Sequence, residues 1–320
     1  MTSFPAGLRL PVIAAPLFLI SNPQTVIAQC KAGIVGSFPA LNAREEPGEP
    51  VQLEAWLREI TEALDAHNQA HPDTPAAPFA VNQIVHRSNT RLDRDVDICA
   101  RWNVPIWITS MGAREEVNTA AKSCNALTLH DVTTNTYARK AIAKGADGLI
   151  ALCAGAGGHT GKQSPFALAA EIRAWFDGPL GLAGAISTGA GILGAQALGA
   201  DFAYIGSPFI ATAESPVREA YKDMIVAGGA EDIVTTASFT GVPANFLQAS
   251  IAALGLDPTA PPAAAMDTLD TSAGAKPWRD IWGAGEGIGA VQDVCSTEHL
   301  VRRLVHEYDA ARAALGQRHA

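Results

Sequence analysis

Residues 144–161 read Lys-Gly-Ala-Asp-Gly-Leu-Ile-Ala-Leu-Cys-Ala-Gly-Ala-Gly-Gly-His-Thr-Gly and hold one whole structural unit. Gly145 ends a helix, Asp147 leads out of the turn, an almost unbroken apolar run comes next, and a glycine loop carries His159. A run without polar alternation is a strand buried on both faces, as in parallel sheets covered by helices. The same ending, Leu-Gly-Ala-Asp, recurs at residues 198–201, where Gly199 again stops a helix. Outward from this unit, further apolar runs lie at residues 12–16, 34–38, 79–84, 105–111, 126–132, 180–186 and 201–207. Helical spacing fills the intervals at 53–67, 91–102, 115–124, 136–144, 165–176 and 192–198. Eight β–α units in succession predict an α/β fold of the (β/α)₈, or TIM barrel, type rather than an open sheet.

Composition agrees with that reading. The chain of 320 residues is 48% hydrophobic but only 17% charged, below the usual quarter of a soluble domain, so much of it must be buried. The net charge of −9, with Lys and Arg scattered, lacks the basic patch that nucleic acid or an anionic membrane requires. Five cysteines at wide spacings, with no Cys-x-x-Cys pair, fit neither a disulfide framework nor a zinc site. The N-terminus lacks the basic start and apolar run of a signal peptide, and Pro16 interrupts its longest apolar stretch. These features predict a reduced, cytoplasmic enzyme acting on a small molecule, without a metal, and leave a homo-oligomer open.

Residues 1–228 hold the predicted barrel. Residues 229–320 form an extension too irregular for a core of its own, expected to pack over the barrel within the same domain. Residues 215–228 and 298–315 read as helices, and 230–254 as a helix interrupted at Gly241-Val-Pro243. The stretch Gly-Ala-Gly-Glu-Gly-Ile-Gly at 283–289 does not fit a dinucleotide loop and comes after no clear strand, so it is expected to be a flexible turn. Trp278 and Trp282 could mark a lid or an interface.

Active sites of such barrels form at the C-terminal ends of the strands, so polar residues there are the candidates. Alternation along residues 79–84 points Asn82 into the barrel, and alternation along 126–132 is read to do the same for His130, balanced between a core histidine and a ligand contact. The loop at 155–161 gives the sharpest signal: its glycines let a planar ligand approach the backbone, and His159 carries the side chain best suited to proton transfer near neutrality. After the seventh and eighth strands, residues 183–189 and Tyr204-Ile-Gly-Ser207 offer small residues and backbone amides where barrels commonly hold a phosphate.

Taken together, residues 11–16, Phe79-Ala-Val-Asn82, Gly157-Gly-His159 with Gly161, residues 198–207, Phe209-Ile-Ala-Thr212 and Glu214-Ser215 resemble the flavin-binding landmarks of the nitronate monooxygenase (2-nitropropane dioxygenase) family, in the same order over roughly residues 10–250. The resemblance implies FMN as cofactor and oxidation of alkyl nitronates with O₂. It implies that Ala14, Ala15 and Pro16 back the flavin ring and that Asn82 bonds it. Ser110, His130, Gly157, Gly158, Tyr204 and Ile205 would join the cofactor contacts, while Gly184, Ala185, Gly206 and Ser207 would hold the phosphate. His159 would be the catalytic base or nitronate-binding residue. The chain departs from the family pattern at Ala185, where a second Gly is usual, at Ser207, where Thr is common, at Gly155-Ala156, which replaces an acidic residue, and at His130-Asp131, where some relatives carry Lys. An alternative in the same superfamily is an NAD(P)H-dependent FMN reductase of a quinone or enoyl thioester. A flavin carrier without turnover is the non-enzymatic reading, against which a titratable His159 counts.

Overall fold

The computed structural model describes residues 4–44, 51–260 and 276–317. In chain order its strands are β1 (Val12–Ala14), β2 (Gly36–Pro39), β3 (Phe79–Ile84), β4 (Ile106–Ser110), β5 (Leu127–Val132), β6 (Gly148–Leu152), β7 (Gly158–His159), β8 (Leu180–Ala183), β9 (Phe202–Ile205), β10 (Ile233–Thr236) and β11 (Ala244–Leu247). Eight of them form one parallel sheet in the order β1-β9-β8-β6-β5-β4-β3-β2. The ends of that sheet meet: the Ala14 amide donates to Val35 O at 2.8 Å, and the Val35 amide donates to Val12 O at 3.1 Å. The Ser37 hydroxyl adds a bond to Ala14 O at 2.5 Å. The sheet is therefore a closed barrel, and the eight expected strands are its staves.

Ile13, Ala80, Ile106, Ile108, Leu129, Ile150 and Phe202 fill the interior. The opposite faces of the same strands pack under helices, as where Phe38, Val81 and Trp107 meet Leu53, Leu57 and Ile60. The helices on this outer layer include α1 (Pro23–Lys31), α2 (Gln52–Ala70), α3 (Leu92–Arg101), α4 (Glu115–Ser123), α5 (Asn135–Ala143), α6 (Pro165–Arg173) and α7 (Gly189–Ala197). The repeated Gly-Ala-Asp ending has a physical purpose. Gly145 and Gly199 take left-handed φ values of 89° and 94°, which closes each helix at little steric cost. Each Asp then fastens the neighbouring strand: Asp147 Oδ2 accepts from the Thr128 amide and hydroxyl at 2.9 and 2.8 Å, and Asp201 Oδ2 accepts from the Leu180 amide at 2.8 Å.

Two elements differ from expectation. The helix α1 has no strong amphipathic spacing, yet it forms because Asn22 and Thr25 make a reciprocal cap and Pro23 occupies its first turn. Residues 230–254 are not an interrupted helix. A β-branched run, Ile233–Thr236, pairs antiparallel with β11, and only the short α10 (Gln248–Ala252) comes after it. The alanines there suggest helix, but β-branched residues suit a pleated strand. The hairpin reaches back to the barrel, where β11 pairs with β7. Between β9 and this hairpin lie α8 (Ser207–Ile210) and α9 (Glu219–Ala227), the latter starting four residues later than expected. Of the Pro- and Ala-rich stretch after Asp257, residues 261–275 lie outside the described residues. The terminal helix α11 (Thr297–Gln317) packs on α7.

That last contact is unusually close. A Cβ placed on Gly189 would stand 2.1 Å from Tyr308 N and 2.3 Å from Leu304 O, and backbone cannot swing aside as a side chain can. Gly189→Ala should therefore cost about 1–3 kcal/mol through overpacking. Thermal unfolding followed by circular dichroism should show a fall of roughly 2–4 °C per kcal/mol; an unchanged midpoint would mean that α11 does not bear on α7 as described.

Candidate active site

At the C-terminal ends of the barrel strands lies a cavity of about 950 Å³. Closure leaves no lateral edge, so the strand ends and their loops are where backbone groups remain free to meet a ligand. Of the residues singled out from the sequence, Ala15, Pro16, Asn82, Ser110 and His130 line this cavity. So do Gly157, Gly158, His159, Gly184, Ala185, Tyr204, Gly206 and Ser207. Ala14 and Ile205 do not reach it; both are buried in the layer between sheet and helices, because successive strand residues face opposite ways.

The glycine loop after β6 is held in place rather than free. Gly158 and His159 form β7, paired with Asn245 and Ala244 of β11. Asn245, fully buried, donates from Nδ2 to Ala156 O at 2.8 Å, and the Thr160 hydroxyl donates to Cys153 O at 3.0 Å. The tail thus sets where His159 stands. Its ring meets Trp278 edge-on, centroids 5.4 Å apart, and Trp278 in turn stacks on Phe246 at 5.1 Å. Burial lowers the His159 pKa below 6.5, favouring the neutral imidazole. Its Nε2 is buried and has no hydrogen-bond partner among the described residues.

The stretch 283–289 is not a flexible turn. It packs against the loops after β6, β8 and β9, and it includes a 3₁₀ turn at Glu286–Ala290. The Gly285 amide donates to Ser207 Oγ at 2.8 Å, and the Glu286 amide donates to Gly155 O at 3.0 Å. A Cβ on Gly285 would meet Gly155 O at 2.6 Å, and one on Gly287 would meet Ser187 Oγ at 2.5 Å. Gly283, Gly285 and Gly287 line the cavity with Trp278. No local pattern in the sequence says what these tail glycines pack against, so they escape a reading by motif; the spacing of small residues is the available signal.

His130 is oriented differently from the sequence reading. Leu127 and Leu129 are the interior residues of β5, so Thr128 and His130 face the helices. Both alternating sets contain apolar residues, which leaves the phase open to misassignment. His130 Nδ1 lies 2.6 Å from the Thr109 hydroxyl, and burial, reinforced by Lys144, lowers its pKa to about 4. The residue that does face the interior is Asp131. It lines the cavity beside Ser110, whose hydroxyl hydrogen-bonds it and accepts from Asn82 Nδ2 at 2.7 Å.

Across the cavity, Gly184 has φ 133° and Ala185 φ 52°. A Cβ on Gly184 would stand 2.6 Å from Ala154 O, so both the space and the conformation demand glycine there. Among the described residues no helix is long and apolar enough to cross a membrane.

Comparison with known proteins agrees with this architecture. The nitronate monooxygenase family model matches residues 6–307. A nitronate monooxygenase of Paraburkholderia phytofirmans is 26% identical, covering 80% of this chain and 78% of its own. One from Pseudomonas aeruginosa is also 26% identical, covering 94% and 97%. Among solved structures, nitroalkane oxidase from Streptomyces ansochromogenes superposes with a TM-score of 0.78 at 25% identity, covering 95% and 97% of the two chains. FabK from Thermotoga maritima shares the fold, with a TM-score of 0.76 at 21% identity over 97% and 96%.

Burial of His130 has a measurable consequence. An unfolded histidine takes up a proton near pH 6.5, whereas the folded one resists until about 4. The neutral form therefore contributes stability that is present above pH 6.5 and is lost as pH falls through that window, up to roughly 3 kcal/mol. His130→Gln cannot titrate, so its urea-unfolding free energy should fall less between pH 7 and pH 4 than that of the wild type. Equal pH slopes in the two proteins would place His130 in contact with water.

Proposed function

The chain belongs to the nitronate monooxygenase family, and from that premise we propose that this oxidoreductase binds FMN in the cavity and oxidises alkyl nitronates or nitroalkanes with O₂. One observation carries the reading: the buried, unpartnered Nε2 of a half-buried His159 at the wall of a large cavity. Leaving such an atom unsatisfied costs about 1–3 kcal/mol, a cost that a ligand accepting or donating at Nε2 removes. About 950 Å³ is the upper end of small-molecule sites, roughly 300–1,000 Å³, enough for a flavin and a small substrate together.

The residues present fit FMN. Gly157, Gly184 and Gly206 open the three loops that a phosphate and ring would approach, and at Gly157 a Cβ would crowd Gly285 N at 2.8 Å. Ser207 Oγ, already accepting from the Gly285 amide, keeps its own proton to donate to a phosphate oxygen. Asn82 and Ser110 offer polar atoms on the opposite wall. FMN, when bound, supplies the two-electron acceptor and its reoxidation by O₂. His159, held neutral by burial, is able to take the α-proton of a neutral nitroalkane or to bind the oxygens of a nitronate through a protonated ring nitrogen. Trp278, stacked on Phe246, packs edge-on against this histidine and gives it an apolar neighbour at the cavity wall.

His159→Asn separates these tasks. FMN content on denaturation should stay near that of the wild type, because the side chain is not part of the β7–β11 backbone pairing. Turnover of a neutral nitroalkane should fall by about 10²–10⁴-fold, the usual worth of a general base. Turnover of a pre-formed nitronate should fall much less. Steady-state oxygen consumption with both substrates measures the contrast; unchanged activity on both would remove His159 from the chemistry, and protein that neither contains nor takes up FMN would remove the reading itself.

A further inference from the structure

Beneath the cavity, the top of the barrel carries a polar layer whose one carboxylate, Asp131, the proposed chemistry does not use. Asp131 on β5 pairs with Ile150 on β6 and stands two residues beyond the interior Leu129, so it points inward. Its carboxylate accepts from the Ser110 hydroxyl and from the Met111 amide. Ser110 also receives Asn82 Nδ2 at 2.7 Å. From the far side, on β9, Tyr204 faces it closely enough that the negative charge of Asp131 helps hold the phenol proton on. The β6 neighbours Ile150 and Leu152 are apolar, and His130, next in sequence, faces away into the helical layer beside Thr109. Asp131 thus faces one hydroxyl, one backbone amide and a phenol. Among the described residues no cation stands beside this half-buried carboxylate, and its partial desolvation raises its pKa to about 6.

We propose that Asp131 is a positioning residue that sets the charge of the cavity floor, acting through Ser110 and Asn82 on the group seated above it. With its proton the floor is neutral and tolerates negative charge above; without it the floor repels that charge. On the reading given above, the group above is FMN. Two electrons and one proton added to a flavin leave a net negative charge on its ring, and an ionised carboxylate below opposes that charge. The inference rests on that reading only for the identity of the ligand, not for the state of Asp131. The proton it holds is shared with solvent through the cavity, so its ionisation tracks the pH of the medium.

The experiment has two arms. In the apoprotein, labelled with ¹³C-aspartate, the Asp131 carboxyl resonance, assigned by its loss in Asp131→Asn, should titrate near the raised value rather than in the ordinary carboxylate range. A resonance already ionised at pH 4.5 overturns the proposal whether or not the protein binds FMN, so this arm stands if the functional reading fails. In the holoprotein, the reduction potential of bound FMN is measured against free FMN with dithionite as reductant. Wild type and Asp131→Asn should coincide near pH 5 and separate by pH 7.5. There the wild type should favour oxidised over reduced FMN by a further factor of about ten, the scale of a unit charge acting across a protein interior. Curves that stay parallel across this range overturn the proposal. Should Asp131→Asn fail to fold, Ser110→Ala serves instead: it removes a donor to the ionised form, and the point of inflection in the wild-type curve should move to higher pH. An inflection that stays in place would then count against the proposal.

Discussion

The bonds between Ala14 and Val35 turn an eight-stranded sheet into a ring, and the placement of the cavity and its side chains depends on that closure. A closed parallel sheet has satisfied backbone groups along every stave and an interior already filled by Ile13, Ile106, Ile108, Leu129 and Phe202. No space remains for a ligand inside. The unpaired amides and carbonyls, the left-handed residues at 184 and 185, and the inward polar side chains Asn82, Asp131 and Tyr204 all collect at one rim. Chemistry is confined there by topology before any particular residue is chosen.

A second constraint decides what the rim looks like. The loop after β6 is glycine-rich and would be loose alone, but β11 pairs with Gly158 and His159, and Asn245 fastens Ala156 from a fully buried position. The tail then returns through Trp278 and residues 283–287, where Gly285 and Gly287 lie against Gly155, Ser187 and Ala185 with no room for a Cβ. Residues far apart in sequence therefore build a single wall. An aromatic neighbour beside His159, with a polar layer underneath, gives a cavity that is apolar on one side and titratable on the other. Buried imidazole and buried carboxyl shift in opposite directions because burial disfavours the charged form of each.

The barrel is legible in the sequence because its signal is repetitive: apolar runs at 148–154 and 201–207, each introduced by Gly-Ala-Asp, carry the same local message that the other strands repeat with variations. Asn82, His159 and the small residues after the seventh and eighth strands are legible for a related reason, since a strand end is a marked position. What escapes such a reading depends on non-local pairing. Residues 233–247 are alanine-bearing and ambiguous until β7 offers an edge to pair with, and 283–289 look loose until the loops they pack against are in view. The phase of β5 is the instructive case. Leucines at 127 and 129 and alternating residues at 126 and 128 are all acceptable in either layer, so only the neighbouring Ile106, Ile108 and Ile150 decide that Asp131, not His130, faces the barrel interior.

The proposed chemistry requires a flavin that takes electrons from a nitronate rather than from a nicotinamide. Mixing the FMN-loaded protein anaerobically with ethyl nitronate and, separately, with NADH or NADPH, while following the flavin absorbance, tests this most directly. The nitronate should bleach the flavin and the nicotinamides should leave it yellow, with colour returning when O₂ is admitted. Rapid bleaching by NADH or NADPH, with none by the nitronate, would contradict this chemistry and make the protein a reductase.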